Sequence, residues 1–476
     1  MTEKEKQLHE AAYEAVEKNK STVEGDPYRQ AYHLMPPAGL LNDPNGWIQW
    51  KGTYHMFFQW NPFSPDHTHK FWGHFTSDDL IEWKEEPIAL APSEWYEKNG
   101  CYSGSAIELD DKLALIYTGN VKDENNNREA YQCVAASEDG VHFEKQGPVV
   151  DTLPEGYTAD FRDPKVWKEN GRYYFVIGAK TTEKKGQVLL YRSDDFKKWE
   201  LVGPLAGSGL NGLGPFGYMW ECPDLFSLNE KEVLIVSPQG LEKQGRHFEN
   251  TYQAGYFLGN ADLEKASYSH GEFRELDQGF EFYAPQTTVD KEGRRILFGW
   301  MGVPDSDEEF QPTVGHQWIH CLTIPRIITV DGDKIRQEPA KELENLRVEE
   351  ALELRVDTAK GAEVVITEAS EMVIDTAQAE DLYLTFRNEA SFFYDASEKL
   401  VTFTRPRFRD GEIETRQCHL DTLERLHIFM DYSSLEIFMN NGETVMTSRF
   451  FPNPADNTVE ISGNAGSITW KSWELK

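Results

Sequence analysis

Cysteine is scarce in this chain, and its few copies follow no recognisable spacing. The 476 residues include five cysteines, Cys101, Cys133, Cys222, Cys321 and Cys418, and no two of them form a Cys-x-x-Cys pair. An odd number without such spacing argues against both a disulfide framework and a zinc knuckle. The thiols are therefore predicted to be reduced.

The sequence also lacks a long apolar run and an excess of positive charge. No segment approaches the roughly 18 apolar residues of a membrane span, and the polar residues 1–10 contain no apolar core of a secretory signal. Acidic residues outnumber basic ones 81 to 48, which gives a net charge of −33. Such a surface repels phosphate backbones and anionic lipids. Nucleic acid and membrane are therefore not expected as partners, and the chain is predicted to be cytoplasmic.

Length and aromatic content indicate a folded chain of at least two domains. Single domains typically contain about 100–250 residues, so 476 residues are too many for one ordinary core. Aromatic residues make up 13% of a chain in which 27% of the residues are charged, and this aromatic content excludes disorder.

A faint repeat organises residues 42 to 302. Each unit begins with a short polar motif and continues with a run of β-forming residues, a two-residue turn and a second such run. The five copies begin at Asp43, Ser103, Asp163, Glu221 and Pro285, a period of about 60 residues. Such a period is of the kind that propeller blades show, so five four-stranded blades around an axis are predicted. The alternative is a chance similarity between segments of a β-rich chain.

The repeat brings three acidic residues to equivalent positions. If each motif starts an innermost strand, Asp43, Asp163 and Glu221 point into one central cavity. Clustered carboxylates repel one another, a cost that a purely structural core avoids, so this cavity is predicted to be a functional site. The alternative, in which each acid caps its own turn, suits one motif better than three phased copies.

The pattern changes after residue 350. Short alternating strands at residues 382–387 and 435–439, with a hairpin turn at Asn441–Gly442, are typical of a β-sandwich. The predicted fold class is all-β, a five-bladed β-propeller followed by a C-terminal β-sandwich. The expected boundaries are an N-terminal helical extension at residues 1–29, the propeller at 30–337, a linker at 338–349 and the sandwich at 350–476.

Two motifs that suggest other chemistry are set aside. Residues 207–212 match a dinucleotide-binding fingerprint, but the segment Leu213–Gly217 that follows cannot open a helix. His67 and His69 lack a third metal ligand at recognisable spacing, so a loop at the propeller rim is preferred. No metal and no cofactor are predicted.

Six further motifs follow one another in a specific order. They are His33–Gly46, Phe71–Asp79, Tyr102–Ala106, Phe161–Pro164, Glu221–Asp224 and Phe282–Thr287. Together they resemble glycoside hydrolase family 32, the invertase and levanase family, over about residues 30–476. Length, the missing signal and the segment His320–Arg326 are most similar to its bacterial sucrose-6-phosphate hydrolases. The resemblance implies a five-bladed propeller with a trailing sandwich, in agreement with the repeat.

The resemblance also implies a role for each acid. Asp43 would be the nucleophile, Glu221 the general acid and base, and Asp163 the transition-state stabiliser. Retaining hydrolysis requires one ionised and one protonated carboxyl group about 5–5.5 Å apart. The amides of Asn42 and Asn45 can keep Asp43 ionised by donating hydrogen bonds.

The neighbours of the other two acids point to their protonation states. Glu221 follows the apolar pair Met219–Trp220, which is expected to favour its protonated form. Asp163 follows Arg162, which is expected to keep it charged, and in the family such a pair grips ring hydroxyls.

A fructose pocket around the acids is implied as well. Its residues are Asn42, Gln59, Trp72, Tyr102, Ser103, Arg162, Tyr283 and Trp300, each of which could instead be a packing or turn residue. Relatives usually have Asp at the place of Glu281, and this departure bears on the contact expected of Tyr283.

The function that follows is that of a retaining β-fructofuranosidase acting on sucrose, sucrose 6-phosphate or both, with a small sugar as its partner. A fructo-oligosaccharide or fructan hydrolase, a fructosyltransferase and an arabinan-degrading hydrolase share the scaffold and remain alternatives. A non-catalytic sugar-binding protein is a remote one, because it would need one acid to be missing. The oligomeric state is not legible from the sequence.

A phosphorylated substrate would need positive charge from several loops, since the sequence contains no phosphate loop. The candidates are Lys180, Arg246, His247 and Arg128, basic residues in connections between predicted strands. Ordinary surface charge is the alternative for each.

Overall fold

The computed structural model describes residues 1–348 and 350–476, and these are arranged almost entirely as β-strands. One α-helix, α1 (Glu3–Glu24), precedes them, and its first turn is closed by a capping box between Thr2 and Glu5. All five cysteines are free, as predicted. Within the described residues, no helix is long and apolar enough to cross a membrane.

Five sheets form the blades of a propeller, and each blade is built from consecutive strands. The first contains β1 (Gly39–Trp50), β2 (Thr53–Asn61), β3 (Phe71–Ser77) and β4 (Lys84–Glu85). The second contains β5 (Cys101–Leu109), β6 (Lys112–Lys122), β7 (Arg128–Ser137) and β8 (Glu144–Val150). The third contains β9 (Tyr157–Glu169), β10 (Arg172–Thr181), β11 (Gly186–Ser193) and β12 (Glu200–Gly207).

The last two blades complete the circle. The fourth contains β13 (Met219–Leu228), β14 (Lys231–Gln239), β15 (Gly255–Asp262), β16 (Ser267–His270) and β17 (Arg274–Glu275). The fifth contains β18 (Tyr283–Val289), β19 (Arg295–Trp300), β21 (Arg326–Asp331) and β22 (Lys334–Pro339), while the intervening β20 (Trp318–Ile319) pairs in parallel with β1 of the first blade. This pairing ties the end of the propeller to its beginning.

The first strands of the five blades surround the axis. Strand β1 contacts β5 and β18, β9 contacts β5 and β13, and β13 contacts β18, so the ring is closed. The five repeat units begin in these five strands. The predicted five-bladed propeller is confirmed, and closure of the ring leaves few sheet edges open to other chains.

The C-terminal part is a sandwich of two six-stranded antiparallel sheets, as predicted. A 3₁₀-helix at Lys341–Leu346 connects it to the propeller. One sheet contains β23 (Leu352–Asp357), β25 (Ser370–Ala379), β30 (Arg425–Asp431), β31 (Ser434–Met439), β32 (Thr444–Arg449) and β34 (Gly466–Glu474). The other contains β24 (Ala362–Val365), β26 (Leu382–Phe386), β27 (Ala390–Asp395), β28 (Leu400–Pro406), β29 (Ile413–His419) and β33 (Thr458–Ser462).

Buried ion pairs join the propeller to the sandwich. The guanidinium of Arg326 lies 3.1 Å from Asp277 of the propeller and 2.6 Å from Glu436 of the sandwich. His33 lies between Glu436 and Asp431, at 3.1 and 2.7 Å. Because a buried charge without its partner is costly, these pairs fix how the two parts pack together.

Candidate active site

Each of the five innermost strands carries a β-bulge at or directly beside the residue where its repeat unit begins. In β1, residues 42 and 43 together face the single residue 59 of β2, and equivalent two-to-one pairings occur at residues 102–103, 163–164, 222–223 and 284–285. A bulge bends the strand and changes the direction of its side chains. Asp163 and Cys222 adopt positive φ angles of 70° and 48° within their bulges. The bulges thus turn the motif side chains towards the axis.

Asp43 is held by donors on both carboxylate oxygens. Asn42 Nδ2 donates to Oδ1 at 3.0 Å, and the Ser103 hydroxyl donates to Oδ2 at 2.5 Å. The amide of Asn45 was expected to donate as well, but its oxygen accepts the Gly104 N–H at 3.3 Å. One of the two predicted amides therefore contacts the carboxylate.

Glu221 is surrounded by polar donors instead of the apolar setting expected from its sequence neighbours. Arg162 donates to Oε1 at 2.8 Å, while Gln239 and the Tyr283 hydroxyl donate to Oε2 at 2.8 and 2.7 Å. Met219 and Trp220 are buried residues of the same strand, and they do not supply these contacts. The expected apolar environment is wrong, because Trp220 points to the opposite face of the sheet into an apolar cluster, while Arg162, Gln239 and Tyr283 surround the carboxylate of Glu221.

Asp163 lies against Cys222, whose N–H donates to its Oδ2 at 3.0 Å. Burial, together with the nearby charges of Glu221 and Asp43, raises the pKa of Asp163 to about 7, and the opposing attraction of Arg162 is too weak to prevent this. The expectation that Arg162 keeps Asp163 charged is therefore wrong. The three acids form one electrostatic cluster that holds a proton near neutral pH.

Cys222 connects two of the acids and was not among the predicted site residues. Its Sγ lies 3.7 Å from Asp43 Oδ2 and 3.6 Å from Asp163 Oδ2. The adjacency of Cys222 to Glu221 in the fourth motif was the only sequence signal that could have identified it. Gln239 and Lys70, which contact Glu221 and Asn42, gave no such signal, because each lies in a different strand or loop from the motif it serves.

The remaining predicted pocket residues divide into three groups, of which two are hydrogen-bonded around the acids and the motif that follows Cys101. Ser103, Arg162 and Tyr283 contact the acids directly. Gln59 and Trp72 are fully buried, and they donate to the backbone carbonyl groups of Cys101 and Tyr102. They therefore hold the start of β5, where the second repeat unit begins.

Two aromatic residues lie at the wall of the site. Tyr102 is partly exposed, and burial raises the pKa of its hydroxyl. Trp300 is buried with its ring edge-on to Tyr283, at 6.2 Å between centroids, and it also contacts His67 and His320.

Glu281 does not contact the acid cluster. Its carboxylate forms a buried ion pair with Arg405 of the sandwich and accepts the Arg449 N–H at 2.8 Å. Glu281 therefore belongs to the contact between the two domains, and Tyr283 bonds to Glu221 without it.

Two residues of the types that bind metals lie close to His67 in space although they are far from it in the sequence. Glu308 and His320, about 240 residues away, place their ligand atoms within 4.8 Å of those of His67. His69 instead contacts Thr68 and the ring of Phe63. No third ligand stands at recognisable sequence spacing from His67, and the segment that follows β19 brings Glu308 and His320 to it in space.

Two of the four candidate phosphate contacts lie together near Glu221. Lys180 and Arg128 both form ion pairs with Asp160, which also accepts a bond from Arg162 at 2.9 Å. The other two, Arg246 and His247, lie in the exposed loop between β14 and β15, where His247 contacts Glu275.

Comparison with known proteins agrees with this geometry. Residues 33–339 match the glycosyl hydrolases family 32 N-terminal domain, and residues 333–476 match the family 32 C-terminal domain. A sucrose-6-phosphate hydrolase of Bacillus subtilis is 52% identical over 98% of both chains, and one of Klebsiella pneumoniae is 45% identical over 98% of this chain and 97% of the other.

Solved structures show the same architecture. The sucrose-6-phosphate hydrolase of Lactobacillus gasseri superposes with a TM-score of 0.90 at 31% identity, covering 98% of this chain and 96% of that one. A family 32 β-fructofuranosidase of Bombyx mori gives a TM-score of 0.87 at 32% identity, covering 99% and 98%. A variant of that enzyme was solved in complex with sucrose.

Proposed function

Since the chain belongs to glycoside hydrolase family 32, we propose that Asp43, Asp163 and Glu221 catalyse the hydrolysis of sucrose and sucrose 6-phosphate at the fructosyl C2. The family and its relatives make the chain a glycoside hydrolase, a β-fructofuranosidase. The observation that carries the assignment of these residues is the convergence of three carboxyl groups, from three different blades, on one axis.

In the first step, Asp43 attacks C2 and forms a fructosyl–enzyme ester while the bond from C2 to the glucosyl oxygen breaks. The donors Asn42 and Ser103 hold the carboxylate in a fixed orientation for this attack. Glu221 transfers a proton to the departing glucosyl oxygen. That proton is carried by Glu221 itself at the start of the step, and Glu221 leaves the step as a carboxylate.

In the second step, water attacks C2 of the ester and releases fructose. Glu221, now ionised, removes a proton from that water and so regains its acid form. Its orientation is set by Arg162, Gln239 and Tyr283, which contact both oxygens. Two displacements at C2 retain the configuration of the sugar.

The rim near Glu221 has cations that suit a phosphate on the departing glucose. Arg162 bridges Glu221 and Asp160, so the cations Lys180 and Arg128 that also pair with Asp160 lie on the side of the general acid. With three cations and two carboxylates, this group has an excess of one positive charge in a chain of net charge −33. We propose that Lys180 and Arg128 contact the 6-phosphate.

Substitution of the two acids in covalent and proton-transfer roles tests the reaction. Asp43→Ala and Glu221→Ala should fold and lose nearly all hydrolysis of sucrose, whereas Glu169→Ala, an exposed acid in the strand of Asp163, should remain active. Azide should partly rescue Glu221→Ala on a substrate with an activated leaving group, since it attacks the ester without needing a general base. Wild-type turnover by either catalytic variant would exclude the assignment.

Substrate preference is tested by kcat/KM for sucrose, sucrose 6-phosphate and a short fructan. The 6-phosphate should be preferred over sucrose at low salt, and the preference should shrink as salt screens the cations. Lys180→Met should reduce the preference, whereas Lys185→Met, in the same hairpin and paired with Glu183, should not. Equal kcat/KM for the two sugars at every salt concentration would contradict a phosphate contact, and a preference for the fructan would indicate a fructan hydrolase.

A further inference from the structure

A buried lysine contacts the residue that holds the nucleophile. Lys70 Nζ lies 2.5 Å from Asn42 Oδ1 and 2.9 Å from His67 Nδ1. We propose that Lys70 is a positioning residue, which fixes the Asn42 amide in the orientation that donates to Asp43. This inference rests on the proposed role of Asp43 as the nucleophile.

The amide of Asn42 has two ends of similar shape and opposite hydrogen-bonding character. Its Nδ2 donates to Asp43 Oδ1 at 3.0 Å in the observed orientation. A flipped amide would turn its oxygen towards the carboxylate, and two acceptors would then face each other. An ammonium group has donors and no acceptor, so Lys70 can bind the oxygen end and not the nitrogen end. Lys70 therefore excludes the flipped amide.

His67 and Glu308 hold Lys70 from the other side. Because Lys70 donates to Nδ1 of His67, the ring proton of His67 lies on Nε2, where Glu308 accepts it at 3.2 Å. His320 Nε2 lies 3.0 Å from the same carboxylate. Burial alone would raise the pKa of Glu308, but the hydrogen bonds from His320 and His67 hold it well below its usual range.

The carboxylate of Glu308 attracts the ammonium group of Lys70 and contacts Nε2 of both histidines. Burial lowers the pKa of Lys70 to about 8, against the opposing attraction of Asp43 and Glu308, so most molecules carry the charged ammonium at pH 7. The two histidines and Glu308 are of the types that bind zinc, but both Nε2 atoms are engaged with Glu308. The group therefore serves as the anchor of a hydrogen-bonded chain from the rim to Asp43.

Substitution of Lys70 gives a kinetic signature that a purely structural role would not give. Lys70→Met keeps the apolar stem and removes the donor, and it should lower kcat on sucrose about 10- to 100-fold with KM changed by less than about threefold. Lys70→Arg should recover most of kcat, because a guanidinium also has donors and no acceptor. Lys145→Met is the matched control: the Lys145 side chain is only 7% exposed and pairs with Glu97 in another blade, so kcat should stay at the wild-type level.

A double substitution tests whether Lys70 acts through Asn42. If it does, Lys70→Met should have little further effect on kcat in an Asn42→Ala background. Losses that multiply in the double variant would overturn the inference. If Lys70→Met does not fold, Lys70→Leu replaces it, because leucine likewise has no donor for Asn42 Oδ1, and a wild-type kcat in that variant would be equally contradictory.

One more variant separates this inference from the proposed function. Asp43→Asn should be inactive on sucrose. An active Asp43→Asn would remove the nucleophile assignment and the positioning role with it. An inactive Asp43→Asn beside a fully active Lys70→Met would overturn the positioning role alone.

Discussion

Asp163→Asn is expected to stabilise the protein at alkaline pH while it impairs catalysis. In the folded protein, burial and the neighbouring Glu221 and Asp43 raise the pKa of Asp163 from 3.8 to about 7. One pKa unit corresponds to about 1.4 kcal/mol, so an ionised Asp163 costs up to roughly 4 kcal/mol of the free energy of unfolding. The amide keeps an oxygen for the Cys222 N–H and carries no charge. We expect a gain of about 2–4 kcal/mol above pH 7.

The difference in the free energy of unfolding between Asp163→Asn and the wild type should depend on pH. Below about pH 4, Asp163 is protonated in both the folded and the unfolded chain, and the variant should be no more stable than the wild type. Between about pH 4 and 7 the folded chain holds a proton that the unfolded chain has released, so wild-type stability falls as the pH rises. Above the folded pKa of about 7 the difference should be constant.

Thermal unfolding followed between pH 4 and 8.5 measures this difference. The Tm of Asp163→Asn should exceed that of the wild type by several degrees at pH 8 and approach it at pH 4. Asp224→Asn is the control, because Asp224 is buried beside the cationic Lys165 at 3.4 Å and its substitution should lower the Tm at pH 8. Equal Tm values for Asp163→Asn and wild type at pH 8, or an equal gain at both ends of the range, would refute the reasoning.

Three further results are expected. The first fructose released should be the β anomer by NMR of a fresh reaction, and initial α anomer would indicate an inverting site. The kcat/KM for sucrose should fall as the pH rises through about 7, because the acid cluster then loses its proton, and an Asp163→Asn enzyme with the same alkaline limb would argue against this cause. Arg405→Met should cost about 3–5 kcal/mol by leaving Glu281 buried without its partner, with kcat of the surviving folded enzyme little changed; an unchanged Tm would mean that the pair contributes nothing to stability.

The blades and the sandwich could be predicted from the amino-acid sequence alone. Strand alternation, turn residues and the period of about 60 residues are local features, and, apart from β20, the strands of each blade come from one segment of the chain. For the same reason, the phase of the repeat brought Asp43, Asp163 and Glu221 to one axis before any contact between blades was known. The order of the six motifs identified the family, and the family implied the role of each of the three acids.

The tertiary structure decided the chemistry around those acids. Glu221 receives its donors from a neighbouring strand and from two other blades, and the proton on Asp163 depends on carboxylates about 60 and 120 residues away. The link from Lys70 to Asn42, and the pairing of Glu281 with the sandwich, likewise join residues that no sequence spacing connects. Hydrogen bonds and charge interactions act through distance in space, so they become visible only once the blades are closed into a ring.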